Sequence, residues 1–447
     1  MLRPALSFIS CGLLLLPACI LPGCFSLSLI PTKLSAVKEE TSSLSRREWW
    51  NTNLLQLSVG GLLSTWVPEH ATAAPITTPY LMEEYFQPPN TAADQGRFYF
   101  PTLTPPFAKR ATYQYTLGRN AWALEQLLTF ANVSATIRCN VVQLESTGGL
   151  WVHSPQWPTG EFCYLLDQLQ GDVEHIVLPC NALEHKAPMK AFIQKYPKAQ
   201  VWISPGQYGP FGSCGLDTDF DTKKTSSTMG YRVDGILGDN MAQPPSWAKE
   251  FDMAILYVDI PENAGPVSEV AFCHKPTKTL VATDAVVYIP TDAPNIFTTY
   301  FDTDTVRDDP TFWPKTVLQA VFLPLRTNNN NNYPGFGAIE NRLVRAPILR
   351  AFADARAPNA VKDWVAKIAT QFDFDRIITS HFASPIAATP QDFASCFSYL
   401  TPIMGNSNSK LPPIACQDWE LLEGLNQVIA ENKLGAPATF DYKKDCQ

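Results

Sequence analysis

The chain has 447 residues, of which 45% are hydrophobic and 17% are charged, and its formal net charge is −8 at pH 7. These values exclude a wholly disordered chain, and the acidic balance argues against nucleic acid as a partner. Proline, with 38 residues, exceeds its usual share of about 5%, so we expect long irregular connections rather than a helical bundle.

Residues 1–73 have the pattern of a targeting presequence. A single Arg is followed by an uncharged stretch that lasts until Lys33, which is typical of a secretory signal. Residues 25–45 are rich in Ser, as in a transit peptide, and Arg46-Arg47 precedes a second apolar stretch, as in a twin-arginine signal. This order favours the thylakoid lumen of a plastid, with a secreted protein as the alternative. We expect no stable membrane span in the mature chain.

The mature chain would begin near Ala74 with an irregular, Pro-rich extension over residues 74–117. A domain over residues 118–400 follows. In its first half, predicted strands alternate with predicted helices, which is typical of an α/β arrangement. We predict strands at 137–144 and 150–153, a helix at 160–170, a strand at 176–178, a helix at 185–196 and a strand at 200–204.

The second half of this domain follows a loop-rich insertion at residues 205–250 and repeats the same order of strands and then helices. A tail over residues 401–447 carries one predicted helix at 419–430. This order predicts an α+β sandwich of layers. We predict strands at 254–258, 267–272 and 279–282, helices at 341–355 and 359–372, and a strand that ends at His381.

Three stretches of the domain end an apolar run with a His or an Asp: residues 175–186, 269–287 and 376–386. A β-strand carries the side chains at its end with fixed geometry, so polar ligands at several strand ends can converge on one point. Metal sites are commonly built in this way. The three stretches therefore predict a metal centre.

The same stretches resemble motifs of the metallo-β-lactamase superfamily, which implies an αββα sandwich. IVLPCNALEHK is similar to the strand and HxHxDH motif, HKPTKTLVATD to the later His and bridging Asp, and IITSHFASPI to the last His. The first metal pocket of that superfamily keeps only His274 on this comparison, because Cys180 and Ala182 stand in place of two histidines. The resemblance implies that the second pocket keeps all of its ligands, at Glu184, His185, Asp284 and His381.

A narrower resemblance covers residues 118–400. GLWVHSP at 149–155, Lys186 and Pro205-Gly206-Gln207 are similar to the domain of unknown function 4336, found in photosynthetic organisms within the same superfamily. That family has no established reaction, so the resemblance implies a fold and supplies no substrate.

The expected function is a metal-dependent hydrolase with a degenerate site that holds one divalent metal ion. Zinc is the first choice, and iron, manganese or no metal are the alternatives. The substrate would be an unknown small molecule. A non-catalytic plastid binding protein that retains the fold is the rival interpretation, and an iron-dependent oxidoreductase is a weaker one.

Each predicted ligand also has a structural interpretation. Glu184 and His185 would suit the positive end of a helix, and Asp284 would suit the turn after a strand. His274 is as well explained by a hydrogen-bonded core histidine, and His381 by a buried polar anchor. The position of these side chains relative to one another distinguishes the two interpretations.

Overall fold

A computed structural model of the chain describes most of the predicted domain, and residues 1–73, the predicted presequence, lie outside the described residues. Among the residues that it describes, no helix is long and apolar enough to cross a membrane. The described residues are 76–77, 103–104, 110–130, 133–207, 226, 229–238, 241, 244–258, 266–322, 334–400, 416–431 and 437–439.

The larger of two main sheets has nine strands and changes from antiparallel to parallel pairing at β6. Its strands are β1 (Ile76–Thr77), β2 (Leu103–Thr104), β3 (Tyr113–Gly118), β4 (Ala121–Phe130), β5 (Val133–Gln143), β6 (Leu150–His153), β7 (Val173–Leu178), β8 (Gln200–Ile203) and β9 (Gly235–Ile236). They lie in the order β1-β3-β4-β5-β6-β7-β8-β9, and β2 pairs with β4.

The second sheet has five strands, and one parallel pair at its centre decides where the site forms. Its strands are β10 (Phe251–Val258), β11 (Val267–His274), β12 (Thr279–Val281), β15 (Arg376–Ile378) and β16 (Ile386–Ala387). They lie in this order, and all pairs are antiparallel except β12 and β15. A separate two-stranded ribbon joins β13 (Val287–Ile289) to β14 (Arg342–Val344).

Helices follow the strands in both halves of the domain, and most are short. They are α1 (Gly160–Asp167), α2 (Leu183–Lys186), α3 (Met189–Lys195), α4 (Thr303–Asp308), α5 (Phe312–Phe322), α6 (Pro334–Ile339), α7 (Pro347–Leu349), α8 (Pro358–Gln371), α9 (Pro390–Ser395) and α10 (Cys416–Glu431). A π-helical turn, Arg350–Asp354, continues α7. Two 3-10 helices, Ser246–Lys249 and Asn295–Thr299, lie in the connections.

The packing of these elements forms four layers. Phe162 of α1 and Phe192 of α3 pack with strand residues of the first sheet on its outer face. Trp151 of the first sheet and Phe272 of the second share a core between the two sheets. Trp364 of α8 packs with strand residues on the outer face of the second sheet. The order is therefore helix, sheet, sheet, helix, which confirms the predicted αββα sandwich.

A further cluster of buried side chains lies where α4, α5 and α10 pack together with the ribbon. It includes Phe297, Trp313 and Trp419, and it reaches the first sheet through Leu127 of β4 and the loop after β15 through Phe382. The tail helix α10 agrees with the predicted helix at 419–430. These helices cover the end of the sandwich next to β4 and β5.

Some predicted elements were wrong. The extension was expected to be irregular to residue 117, but β3 occupies its last residues, and β4 was not predicted at all. The reason lies in β4, whose sequence, AWALEQLLTF, is rich in residues that favour helices and is buried on both faces, so it shows no alternation. The helix predicted at 341–355 begins with β14 instead, and its helical part starts at Pro347.

One buried carboxyl makes the stability of this fold depend on pH. Glu161, in the first turn of α1, accepts a hydrogen bond of 2.7 Å from the Thr112 backbone N–H. Burial raises the pKa of Glu161 to about 7, and the Thr112 hydrogen bond offsets this only in part. The folded chain therefore keeps a proton that the unfolded chain releases, so stability falls as pH rises from about 4.5 to about 7.

We expect Glu161→Gln to stabilise the protein at pH 8 by about 2 kcal/mol and to change little at pH 5, since the amide oxygen still accepts from Thr112. Urea unfolding of both proteins at the two pH values measures this. An equal effect of the substitution at pH 5 and pH 8 would contradict the assignment.

Candidate metal centre

Strand ends from both sheets meet at one edge of the sandwich. In the second sheet, β12 and β15 run parallel, so the residues that follow them, Asp284 and His381, leave at the same edge. In the first sheet, β6 and β7 also run parallel, and they are followed by Ser154 and by the segment that leads to His185. The parallel pairing of strands in each sheet thus brings together residues that are far apart in sequence.

Four of the five predicted ligands lie together there. One donor atom from each of Glu184, His185, Asp284 and His381 lies within 4.8 Å of the others. His185 Nε2 is 3.6 Å from Asp284 Oδ2, and His381 Nε2 is 3.0 Å from Asp284 Oδ1. The two imidazole rings are 5.3 Å apart between centroids. Both rings therefore face one carboxylate from different sides.

The spacing and the chemistry of these donors suit a metal ion. Two ligands bound at about 2.1 Å to a tetrahedral ion are about 3.4 Å apart, and the two measured separations of 3.0 and 3.6 Å lie on either side of that value. Two imidazoles and two carboxylates form a donor set that zinc, iron and manganese accept. The residues present therefore fit one divalent ion.

Each histidine ring is held at its other nitrogen. His185 Nδ1 lies 2.5 Å from the Ser154 hydroxyl, and Ser154 has a positive φ of 54° that turns the chain at the end of β6. His381 Nδ1 donates to the Thr136 carbonyl at 2.6 Å. Because a carbonyl only accepts, Nδ1 of His381 carries the proton, and in the neutral ring Nε2 offers its lone pair. Such anchoring is usual for metal-binding histidines.

The charges of the cluster stabilise one another. Burial alone would raise the pKa of Asp284, but His185 and His381 lower it well below its usual range through charge and hydrogen bonding. Burial would likewise lower the pKa of His185, yet Asp284 raises it. A cation bound at Asp284 would compete with the His185 proton for the same carboxylate.

Two residues that the sequence did not single out hold the loop that carries Asp284. The Glu269 carboxylate accepts hydrogen bonds from the backbone N–H of Thr283 at 2.9 Å and of Asp284 at 3.3 Å. Arg345 Nη1 donates to the carbonyls of Asp284 at 3.3 Å and of Ala285 at 3.0 Å. The only indication in the sequence that Glu269 has a role was its position as a charged residue within the apolar run of β11.

Glu269 also belongs to a second group of potential ligands. Cys180, Glu269 and Asp284 each offer an atom within 4.8 Å of the others, and Cys180 pairs with Glu269 through an isolated β-bridge. Burial raises the pKa of the Cys180 thiol well above its ordinary value, so this sulfur is a poor ligand in its protonated form. Ala182 offers no donor atom, as expected from the sequence.

His274, the fifth predicted ligand, does not join the cluster. Its Nδ1 lies 2.8 Å from Thr277 Oγ1 and its Nε2 lies 3.3 Å from Glu250 Oε2, so both ring nitrogens have protein partners. The reason is strand direction: β11 is antiparallel to β12, so its first residues reach the site and its last residue, His274, lies at the opposite edge. His274 lies five positions along the strand from Glu269, which is about 17 Å. We therefore remove His274 from the candidate ligands.

His153 lies beneath the cluster as a buried neutral ring. It stacks on Trp151 at 5.4 Å, and neither ring nitrogen has a hydrogen-bond partner among the described residues. Burial, followed by the charge of His185, lowers the pKa of His153 to about 3. It is therefore uncharged at physiological pH.

Several solved structures are similar to this chain. A metallo-β-lactamase from Hirschia baltica has 10% identity and a TM-score of 0.34, with 65% of this chain and 97% of that chain covered. A metallo-β-lactamase from Pseudomonas aeruginosa in its mono-zinc form has 9% identity and a TM-score of 0.33, with 65% of this chain and 94% of that chain covered. A β-lactamase domain protein from Burkholderia ambifaria has 9% identity and a TM-score of 0.36, with 64% of this chain and 72% of that chain covered. Likeness at this level carries no conclusion about activity.

No curated protein sequence matches the chain. A family model does match it, over residues 119–312 and 322–399, which is more than half of its length. The matched residues include the whole cluster of Glu184, His185, Asp284 and His381. The chain therefore belongs to the family described as the domain of unknown function DUF4336.

Proposed function

We propose that Glu184, His185, Asp284 and His381 bind one divalent metal ion, zinc in the first place, and that the protein is a metal-dependent hydrolase of a small molecule. The observation that most supports this is the pair of anchored imidazoles, whose Nε2 atoms face the same carboxylate at 3.6 and 3.0 Å. Iron and manganese suit the same donors.

The residues of the cluster meet two requirements of such an enzyme. Ser154 and Thr136 fix the two rings, so the donors are in place before an ion arrives. His185 is fully buried, whereas the other three ligands are partly exposed, so the cluster is open on one side, as a substrate requires. A divalent ion bound there would supply a Lewis acid and lower the pKa of water to about 7. Ester, thioester, amide and phosphoester hydrolysis are the reactions that this chemistry serves.

The metal content of the purified full-length chain tests the proposal. Prepared without chelators, the protein should contain about one equivalent of zinc, iron or manganese, measured by plasma mass spectrometry. It should also hydrolyse at least one member of a panel of esters, thioesters, amides and phosphoesters, and lose that activity on treatment with a chelator. If the protein contains less than about a tenth of an equivalent of each of these metals, the proposed metal-dependent hydrolase is rejected.

A second candidate function, non-catalytic binding of a small molecule, has one observation in its favour. In the second group of potential ligands, the Glu269 carboxylate is occupied by the turn at Thr283 and Asp284, and Cys180 is buried as a thiol. A second ion therefore has little support, and many hydrolytic sites use two. A full equivalent of metal without turnover of any substrate class would favour this function.

A further inference from the structure

A buried ion pair behind the metal centre contacts Asp284 through its backbone. Arg345 follows β14, and its Nε and Nη2 atoms donate to the two oxygens of Asp354 at 3.0 and 2.8 Å. The two side chains are 2% and 0% exposed. The Tyr399 hydroxyl also donates to Asp354, at 2.5 Å. The pair is thus fixed in position and shielded from water.

The remaining nitrogen of the guanidinium reaches the site. Arg345 Nη1 donates to the carbonyls of Asp284 and Ala285, while Glu269 accepts from the N–H groups of Thr283 and Asp284. The segment 283–285 is therefore held from its carbonyl side by the Arg345 guanidinium and from its N–H side by the Glu269 carboxyl group. Glu269 also accepts from the Thr283 hydroxyl at 2.5 Å, and none of these contacts uses the Asp284 carboxylate, which stays free for His185 and His381.

The chemistry of arginine explains why this residue type stands there. Its guanidinium carries five N–H donors in one plane. Nε and Nη2 can therefore bond a carboxylate while Nη1 bonds two carbonyls. A lysine ammonium lacks this geometry. The ring of Phe397, 5.3 Å from the guanidinium carbon, further limits its rotation.

We infer that Arg345, fixed by Asp354, is a positioning residue that sets the place of Asp284 in the metal centre. The inference rests on the proposed metal site, because a productive ligand must be held to within about 0.5 Å. It assigns to β14 and the π-helical turn a direct part in building the site.

Hydrogen exchange on the metal-free, full-length protein tests the positioning. In Arg345→Met, the backbone amides of Thr283 and Asp284 should exchange about ten times faster or more than in the wild type. Leu166→Ala is the control, because it removes packing from α1 on the outer face of the first sheet, in a core cluster that contains no residue of the segment 283–285. It should leave those two amides unchanged although it lowers stability. Unchanged exchange in Arg345→Met overturns the inference.

Zinc affinity, measured by competition with a chromogenic chelator, tests the consequence. Arg345→Met should weaken zinc binding about 10-fold or more, and Arg345→Lys by less, whereas Leu166→Ala should bind like the wild type. Equal affinity of the wild type and Arg345→Met also overturns the inference. If the wild type binds no zinc, the proposed function fails, and the exchange of the Asp284 amide alone decides the positioning.

A milder variant covers the case in which Arg345→Met does not fold. Tyr399→Phe removes one hydrogen bond to Asp354 and keeps the ion pair. It should raise the exchange of the Asp284 amide about 3-fold, with zinc affinity reduced in the same sense. No change of exchange in Tyr399→Phe and in Arg345→Lys overturns the inference.

Discussion

Removal of either imidazole, in His185→Ala or His381→Ala, is expected to abolish metal binding. The metal content should fall from about one equivalent to below about a tenth, because two of the four donors in this cluster are imidazoles and each faces Asp284 directly. Loss of a residue that only orients a ligand already costs about 10–100-fold in affinity, so loss of a ligand should cost at least as much. Plasma mass spectrometry and zinc competition measure both quantities.

The matched control for this pair is His274→Gln. His274 is as buried as His185, but Thr277 and Glu250 occupy its ring nitrogens. We expect His274→Gln to keep the full metal content and to lose only stability. Metal loss in His274→Gln that equals the loss in His185→Ala would mean that the ligands have been assigned to the wrong edge of the sheet.

Breaking the buried pair of Glu125 and Arg138 is expected to have the largest effect on stability. These residues lie opposite each other on β4 and β5, with Arg138 Nε 2.6 Å from Glu125 Oε2 and side chains that are 5% and 2% exposed. Arg138→Met leaves an uncompensated buried carboxylate, and we expect a loss of about 3–5 kcal/mol in the free energy of unfolding. Denaturation in urea measures this loss.

The double variant Glu125→Leu with Arg138→Met separates the charge from the packing. It removes both charges, so it should recover most of the stability that the single variant loses. Two contacts limit the recovery, since Tyr115 donates to Glu125 and Arg138 Nη1 donates to the Thr379 carbonyl. If the double variant is no more stable than Arg138→Met, the desolvated charge is not the cause.

The sequence allowed the layers and the grouping of four candidate ligands to be predicted. Apolar runs that end in a polar residue marked the strand ends, and the order of strands and helices indicated the sandwich. Glu184, His185, Asp284 and His381 lie close together in the structure, and each follows such a run or opens the helix after it.

What the sequence could not supply was strand direction and contacts to the backbone. His274 ends an apolar run like the others, and only the antiparallel pairing of β11 with β12 puts it at the far edge. Glu269 and Arg345 act on N–H and carbonyl groups, which every residue carries, so no residue pattern identifies their target. β4 was missed because burial on both faces leaves no alternation to detect.

The parallel pairing of β12 with β15 also governs when the site can form during folding. Thr279 and Arg376, at the start of these strands, contact each other across 97 residues of chain. Contacts between residues so distant in sequence form slowly, because a long loop must close before they gain any stabilising energy. Asp284 and His381 therefore meet only after that loop has closed. The proposed metal affinity would thus be acquired late, because a nascent or partly folded chain has no complete set of the candidate ligands.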